Sequence, residues 1–327
     1  MDDTVSVIIP NHNGSATLCK CLEAAFASRY PNFEVIVADD CSSDNSVEII
    51  REFPCRLVRL EQRSGASNAR NAGAALSSGG ILFFTDADCI LMEDTLSEAV
   101  NSLARNKGAV VGGTYTEIPF DDHFFSTFQS VFVNYSETKR RTPDYLATHA
   151  MAIDRRLFLK SGLFNEDFLP ILEDVEFSHR LRRAGCSLVM NPRIVVRHIF
   201  NFTLLKSLRN GFRKSMFWTL YSISNGDVLA DSGTASKELK INVASFFVCS
   251  IAAFLFLHSG SKTLLVLFIL VLGINLWSSR GLISAFYRAK GSLFAACATL
   301  YYTLLYPLAV GSGAIAGAIR YIFAPAK

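Results

Sequence analysis

The chain is 327 residues long, half of it hydrophobic and 19% charged, with a formal net charge of +3. That length exceeds one typical domain, and the apolar fraction is high for a soluble protein, with the excess concentrated after Lys240. So mild a charge, with basic residues scattered before Lys290, excludes nucleic acid as an expected partner. The eight cysteines (Cys19, Cys21, Cys41, Cys55, Cys89, Cys186, Cys249, Cys297) show neither Cys-x-x-Cys spacing nor histidines at zinc spacing. Free thiols in a reducing cytosol fit them best. A strand pattern begins almost at once, without a basic region leading into an apolar core, so a cleaved signal peptide is not expected.

Val5 to Pro10 reads as a short β-branched strand closed by proline, which has no N–H for the ladder, and Asn11-His12-Asn13-Gly14 reads as its loop. From Ser15, Leu18, Leu22, Ala25 and Phe26 recur at helical spacing. Glu34 to Ala38 is a second strand ending in Asp39 and Asp40. Ser42, Ser43 and Asp44 supply loop and cap material before Val47, Ile49, Ile50 and Phe53, and Arg56 to Leu60 is a third strand. This alternation implies a parallel sheet with right-handed crossovers. Gly65 to Gly73 is a small-residue stretch carrying one cation, Arg70, and small residues let a helix approach a ligand or a sheet. A close-packed helix with a solvated arginine reads equally well at this point.

Ile81 to Phe84 is apolar throughout, the pattern of a strand buried on both faces, and it ends in Thr85-Asp86-Ala87-Asp88. In open α/β sheets ligands sit beyond the carboxyl ends of strands. A turn there would let both carboxylates converge on one hard cation such as Mg²⁺, although aspartate is also an ordinary turn residue. Val110 to Tyr115 is another strand. The aromatic-rich Phe120 to Phe132 shows little period, and with Asn134 to Asp144 it reads as a variable, partly mobile connection. Leu146 to Ile153 reads as a strand interrupted by Thr148 and His149. Leu172 to Gly185 carries a helix signature, with acids first, basic residues last and glycine as the stop. Glu173 and Asp174 could therefore be no more than helix-start acids. Cys186 to Met190 and Arg193 to Ile199 read as two short strands, and His198 on the second is more simply structural.

In this order the pieces resemble family 2 glycosyltransferases with the GT-A fold, over roughly Thr4 to Phe200. The resemblance rests on the conjunction of the Val5–Gly14 opening, Asp39-Asp40-Cys41-Ser42-Ser43-Asp44, Gly65 with Ala69-Arg70-Asn71 and Gly73, Asp86-Ala87-Asp88, and Glu173-Asp174. It implies an α/β domain at residues 1–200, Rossmann-like, with a mostly parallel sheet and helices on both faces. It implies that Pro10 and its loop with Asn13 line a nucleotide-sugar pocket and that Asp40 holds the base. Gly65, Arg70, Asp86 near the ribose and Glu173 would complete the donor site. Asp88 and His198 would hold a divalent cation, Mn²⁺ or Mg²⁺, and Asp174 would be the catalytic base. A cation can stabilise the charge developing on a diphosphate leaving group, and a carboxylate across the sugar can deprotonate an incoming hydroxyl, giving inversion. Two departures stand out. Ala147-Thr148-His149-Ala150 replaces the glycine-containing loop common in the family, which leaves the donor sugar open. Leu208 to Trp218 lacks the Gln-x-x-Arg-Trp of processive synthases, so processive synthesis is disfavoured.

Residues 201–240 read as an interfacial amphipathic helix, with Lys206, Arg209, Arg213 and Lys214 among aromatics, followed by a polar linker; a domain-packing helix would share that pattern. Residues 241–327 read as a membrane region with two to three transmembrane helices. Ile241–His258 and Thr263–Trp277 form a hairpin. Leu293–Ile319 spans or re-enters, with Pro307 as a kink and Gly313 and Gly317 as a packing face. Arg280, Arg288 and Lys290 put the intervening connection, and with it the catalytic domain, on the cytoplasmic side of the inner membrane. The leading expectation is a membrane-anchored, metal-dependent, inverting enzyme of cell-envelope glycan synthesis. It would move sugar from a nucleotide-sugar donor to a lipid-linked or glycan acceptor, with membrane lipids as further partners. Alternatives are a polyprenyl-phosphate sugar synthase using the carrier phosphate itself and a non-catalytic membrane component keeping the fold. A nucleotidyltransferase is disfavoured, because Asn11-His12-Asn13-Gly14 carries no cation for a triphosphate.

Overall fold

A computed structural model describes residues 4–323. Two compact units are present, one comprising the chain up to Asp122 plus Glu137–Asn201, the other His123–Ser136 plus the chain from Phe202 on.

The first unit is built on strands β1 (Val5–Asn11), β2 (Phe33–Asp39), β3 (Arg56–Arg59), β4 (Ile81–Phe84), β5 (Cys89–Leu91), β6 (Val110–Tyr115), β7 (Met151–Asp154) and β8 (Leu188–His198). Helices α1 (Ser15–Phe26), α2 (Ser46–Arg51), α3 (Ala66–Leu76) and α4 (Thr95–Arg105) alternate with the early strands. The sheet order is β3-β2-β1-β4-β7-β6-β8-β5. The β3-β2-β1-β4 half is parallel, as the strand–helix alternation predicts. Beyond β4 the sheet is mixed, because β7 runs antiparallel to both β4 and β6, and β5 runs antiparallel to β8. All four residues of β4 are buried, in keeping with its unbroken apolar run.

α3 lies tight on this sheet. A β-carbon on Gly73 would sit 2.6 Å from the branched side chain of Ile8, a fully buried residue of β1 that has no room to move. Gly73→Ala is therefore expected to destabilise the protein by about 1–3 kcal/mol through overpacking. The check is thermal unfolding, with a lowered midpoint, against a Gly108→Ala control, where a β-carbon meets nothing within 4 Å but the φ of +76° is still strained.

Several readings of the sequence need correction here. The stretch read as a mobile connection contains α5 (Phe124–Thr138), and Ser126 to Val133 are all buried. Its period was present in Phe124, Phe128 and Phe132, four residues apart, but burial on every side removes the polar face that makes a helix legible. The interrupted strand is a 3₁₀ turn, Thr148–Ala150, ahead of the short β7. The two late strands are one, β8. Pairing with β6 shifts between Met190 and Val195, where Pro192 offers no ladder donor, so the break was read correctly and the continuity missed. β5, α4 and α6 (Arg155–Lys160) went unread. α7 (Glu173–Arg183) closes the unit; its Phe177 packs 5.4 Å from Phe158 and 4.9 Å from Phe164, all three buried.

The second unit contains α5 up to Ser136, α8 (Leu204–Asn225), α9 (Lys237–Ser259), α10 (Lys262–Ser278), α11 (Arg280–Leu300) and α12 (Tyr306–Phe323). The basic connection is itself helical, breaking only at Lys290 and Gly291. A π-helical turn, Tyr301–Leu305, joins α11 to α12 immediately before Pro307, which cannot donate to the helical ladder. β-Carbons on Gly313 and Gly317 would strike the backbone of α8 at Phe212 and Met216, so the two glycines are a packing face. One side of α8 is thus covered by α12. α9 and the 280–323 stretch are long and apolar enough to cross a membrane, and α10 is a shorter apolar helix. Asn242 donates to the Tyr302 carbonyl at 2.7 Å and accepts from Asn275 at 2.9 Å, which ties these helices together inside an apolar surround.

Candidate active site

Beyond the carboxyl ends of β1, β2 and β4 lies a cleft of about 450 Å³. Pro10, Asn13, Asp40, Arg70, Asp86, Asp88 and His198 line it. The β1 and β2 loops are locked to one another. Asn11 Nδ2 donates to Asp39 Oδ1 at 2.9 Å, the Asn13 amide donates to Ser42 Oγ at 2.9 Å, and Asn13 Oδ1 accepts from the Ser43 amide at 2.8 Å. Asn13 holds a left-handed conformation (φ +52°), which asparagine tolerates better than most residues.

Asp40 is buried, and its two carboxylate oxygens accept from the backbone amides of Ser64 (2.6 Å) and Gly65 (2.9 Å). It therefore braces the entry to α3, where Gly65 has φ +92°. A carboxylate has about four lone-pair sites, so this bracing leaves acceptor capacity towards the cleft.

Arg70 is the hub. It is 4% exposed, donates to Asp86 Oδ1 at 2.7 Å and to Glu173 Oε1 at 2.5 Å, and its Nε is buried without a hydrogen-bond partner among the described residues. Burial alone would depress its pKa, but Asp86 and Glu173 more than offset that, so it stays cationic. Burial raises the Asp86 carboxyl, and Arg70 overrides it to hold Asp86 below its ordinary value.

Asp86 and Asp88 take different protein partners. The turn between β4 and β5 directs Asp86 to Arg70 and leaves Asp88 Oδ1 3.4 Å from His198 Nε2. The β5–β8 pairing explains the second contact, because it sets Cys89 opposite His198 and brings the Ile199 amide onto the Asp88 carbonyl at 2.9 Å. Desolvation, and then the Asp86 charge, push Asp88 up to about 7. Ligand atoms of Asp88, Cys89 and His198 lie within 4.8 Å of one another. Burial, and then Asp88, drive the Cys89 thiol well above its ordinary value, so it stays protonated and is a poor ligand.

Asp174 stands beside Glu173 in the first turn of α7, with Oδ1 accepting from the Val175 amide at 2.8 Å. Burial, and then Glu173, raise it to about 7. The turn follows Leu172, a buried non-glycine residue at φ +76°, a conformation that costs about 1–3 kcal/mol and is concentrated at functional sites. A cap or dipole partner would be held below its ordinary value, whereas Asp174 is held above it.

Glu137 and Tyr115 were not singled out in the sequence, and His149 was noted only as the interruption of a strand and part of a departing loop. His149 is buried, with Nε2 3.4 Å from Glu137 Oε2, and its ring stacks on Tyr115 at 4.0 Å; Tyr115 in turn meets the His198 ring edge-on at 4.9 Å. The available signal was the histidine that interrupts an apolar run, and nothing in the sequence links it to Glu137 or Tyr115.

The family model for Glycosyl transferase family 2 matches residues 6–163. The chain is 30% identical over 246 residues to the glycosyltransferase AglE of Haloferax volcanii, covering 69% of this chain and 78% of that one. It is 32% identical over 119 residues, 35% of this chain and 47% of the other, to the Escherichia coli UDP-Glc:alpha-D-GlcNAc-diphosphoundecaprenol beta-1,3-glucosyltransferase WfgD. Among solved structures, the mannosyltransferase PcManGT of Pyrobaculum calidifontis, in complex with GDP-Man and Mn²⁺, aligns over 98% of this chain and 87% of that one. The TM-score is 0.59 at 20% identity, which establishes a shared fold. The protein is a glycosyltransferase, and it belongs to glycosyl transferase family 2.

Proposed function

We propose that the protein is a membrane-anchored, metal-dependent, inverting glycosyltransferase that moves a sugar from a nucleotide-sugar donor to a hydroxyl of a lipid-linked acceptor. The observation that carries this is the buried Arg70 fork, which joins Asp86 of the cleft to Glu173 beside Asp174. The leaving-group side and the base side of one reaction are thereby held by a single side chain. The Asp88–His198 pair suits Mn²⁺ or Mg²⁺, cations that take few protein ligands and complete their shell with substrate phosphates. Bound there, the cation would offset charge developing on the departing diphosphate.

The residues' own work follows from their states. Asp174, held near 7, takes the proton of the acceptor hydroxyl. The acceptor oxygen bonds to the anomeric carbon from the face opposite the diphosphate, and the nucleoside diphosphate departs with the electron pair of the broken bond. A base with that pKa is useful for a hydroxyl and superfluous for a carrier phosphate, which is already ionised. This favours the lipid-linked sugar over the bare carrier as acceptor, a reading supported by the acceptor named for WfgD. Membrane anchoring is supported by α9, an apolar helix mostly left uncovered by the rest of the structure, and by the exposed Ile251, Phe254 and Leu257. The basic residues Arg280 and Arg288 favour a cytoplasmic catalytic unit.

The test is hydrolysis of a panel of nucleotide sugars by purified protein in detergent, with and without chelator. One donor should be consumed with Mn²⁺ or Mg²⁺ and spared when the metal is chelated. Metal-independent consumption would remove the cation from the reading.

A further inference from the structure

Two ionisable side chains are buried in the first unit and take no part in the reaction above, Glu137 and His149. Each is 6% exposed, and neither is among the described residues that line the cleft. Burying a carboxylate against an imidazole costs free energy that an apolar pair of the same volume would not, so packing alone does not account for them. The pair begins a chain of contacts that ends at Asp88. Thr114 Oγ1 donates to Glu137 Oε2 at 2.6 Å, and that oxygen lies 3.4 Å from His149 Nε2. The His149 carbonyl accepts from Thr85 Oγ1 at 3.0 Å, which ties the 3₁₀ turn to the end of β4. With backbone and ring both held, His149 lies face to face with Tyr115, 4.0 Å between centroids and 24° between planes. Tyr115 meets His198 edge-on at 4.9 Å and 78°, while Phe200 stacks on His198 at 3.9 Å and 17°. The Tyr115 and Phe200 rings are 86° apart, so His198 has one ring along its face and one across it. Its Nε2 faces Asp88 Oδ1 at 3.4 Å.

We propose that His149 is a positioning residue for the cation site: braced by Glu137, it holds the Tyr115 ring, and Tyr115 with Phe200 keeps the His198 imidazole turned towards Asp88. The inference rests on the proposed cation reading, in which Asp88 and His198 are the ligands. An imidazole already oriented when the ion arrives loses less rotamer freedom on binding, and the difference is gained as affinity. His149 acts through Tyr115 and touches neither ion nor substrate.

The test titrates the full-length protein in detergent with Mn²⁺, alone and with UDP or GDP, and reads the free ion by electron paramagnetic resonance. His149→Ala removes the ring that Tyr115 rests on and should weaken Mn²⁺ binding about tenfold, the low end for an outer partner of a metal ligand. His149→Phe made together with Glu137→Gln returns a ring face without setting a carboxylate against it, and should recover most of that loss. Phe200→Leu, at a half-buried position, removes the face that stacks on His198 and should weaken Mn²⁺ binding by a similar factor. Parent-like affinity in His149→Ala or Phe200→Leu, or no recovery with the restored ring, overturns the proposal. Asp88→Ala in the same assay separates the two readings. If Asp88→Ala loses the ion and His149→Ala keeps it, the cation site stands and the positioning role fails. If the parent and Asp88→Ala bind Mn²⁺ alike, or neither binds it, the cation reading fails and the positioning role with it.

Discussion

Asp174→Asn should cut sugar transfer by about 10²–10⁴-fold, the contribution of a positioned general base, while nucleotide affinity stays close to the parent's. Asparagine keeps the shape and can still accept the Val175 amide through its carbonyl oxygen, so geometry is conserved and only the proton acceptor is lost. The same change should raise stability. The folded-state pKa of Asp174 is about 7, above its ordinary value of 3.8, because burial and Glu173 disfavour the ionised form. Between those two values the unfolded chain releases the proton and the folded one keeps it, so this group erodes the parent's stability as pH rises from about 4 to 7. The Asn variant escapes that erosion, and its melting temperature should exceed the parent's by a margin that widens over this window and then levels off. An inactive variant that gains stability would mark a functional carboxylate held at a stability cost. Full transfer activity in Asp174→Asn would remove the base assignment.

Asp88→Ala should abolish the Mn²⁺-dependent part of nucleoside diphosphate binding, a loss of at least about 10–100-fold, since even an outer partner of a metal ligand is worth that much. Calorimetric titration with and without Mn²⁺ gives the comparison. Asp88 also dictates a pH signature. With the cation absent its pKa is about 7, so below that pH binding must first displace a proton. Apparent metal affinity in the parent should fall by about tenfold per unit of pH below 7 and be level above it. If nucleotide affinity in Asp88→Ala still responds to Mn²⁺ as in the parent, the cation is held elsewhere.

What could be read from sequence was chemistry local to the chain. Asp86 and Asp88 end an apolar strand, Arg70 stands alone among small residues, and Glu173-Asp174 open a helix; each is visible within a dozen residues. Their partners were not visible. Nothing adjacent in sequence says that Arg70 will bridge Asp86 and Glu173, or that the three-residue β5 will pair with the end of β8 and carry Asp88 to His198. The antiparallel β7 was hidden for a related reason, since three buried residues and a half-buried Asp154 read alike in either direction. His149, Glu137 and Tyr115 meet only in the folded unit, and the stretch holding Glu137 was taken for a mobile connection.

α5 carries a consequence for the order of events during synthesis. Phe128 rests 5.4 Å from Phe286 and 4.7 Å from Tyr301, rings supplied by helices encoded far downstream. At ribosomal rates of about 5–20 residues per second, the roughly 150 residues separating Ser136 from Phe286 take about 8–30 s to appear. For that interval the nascent chain presents Phe124, Phe128 and Phe132 without the Phe286, Phe294, Tyr301, Tyr302 and Tyr306 rings they pack on in the finished structure. A fragment ending at residue 201 would lack those rings throughout.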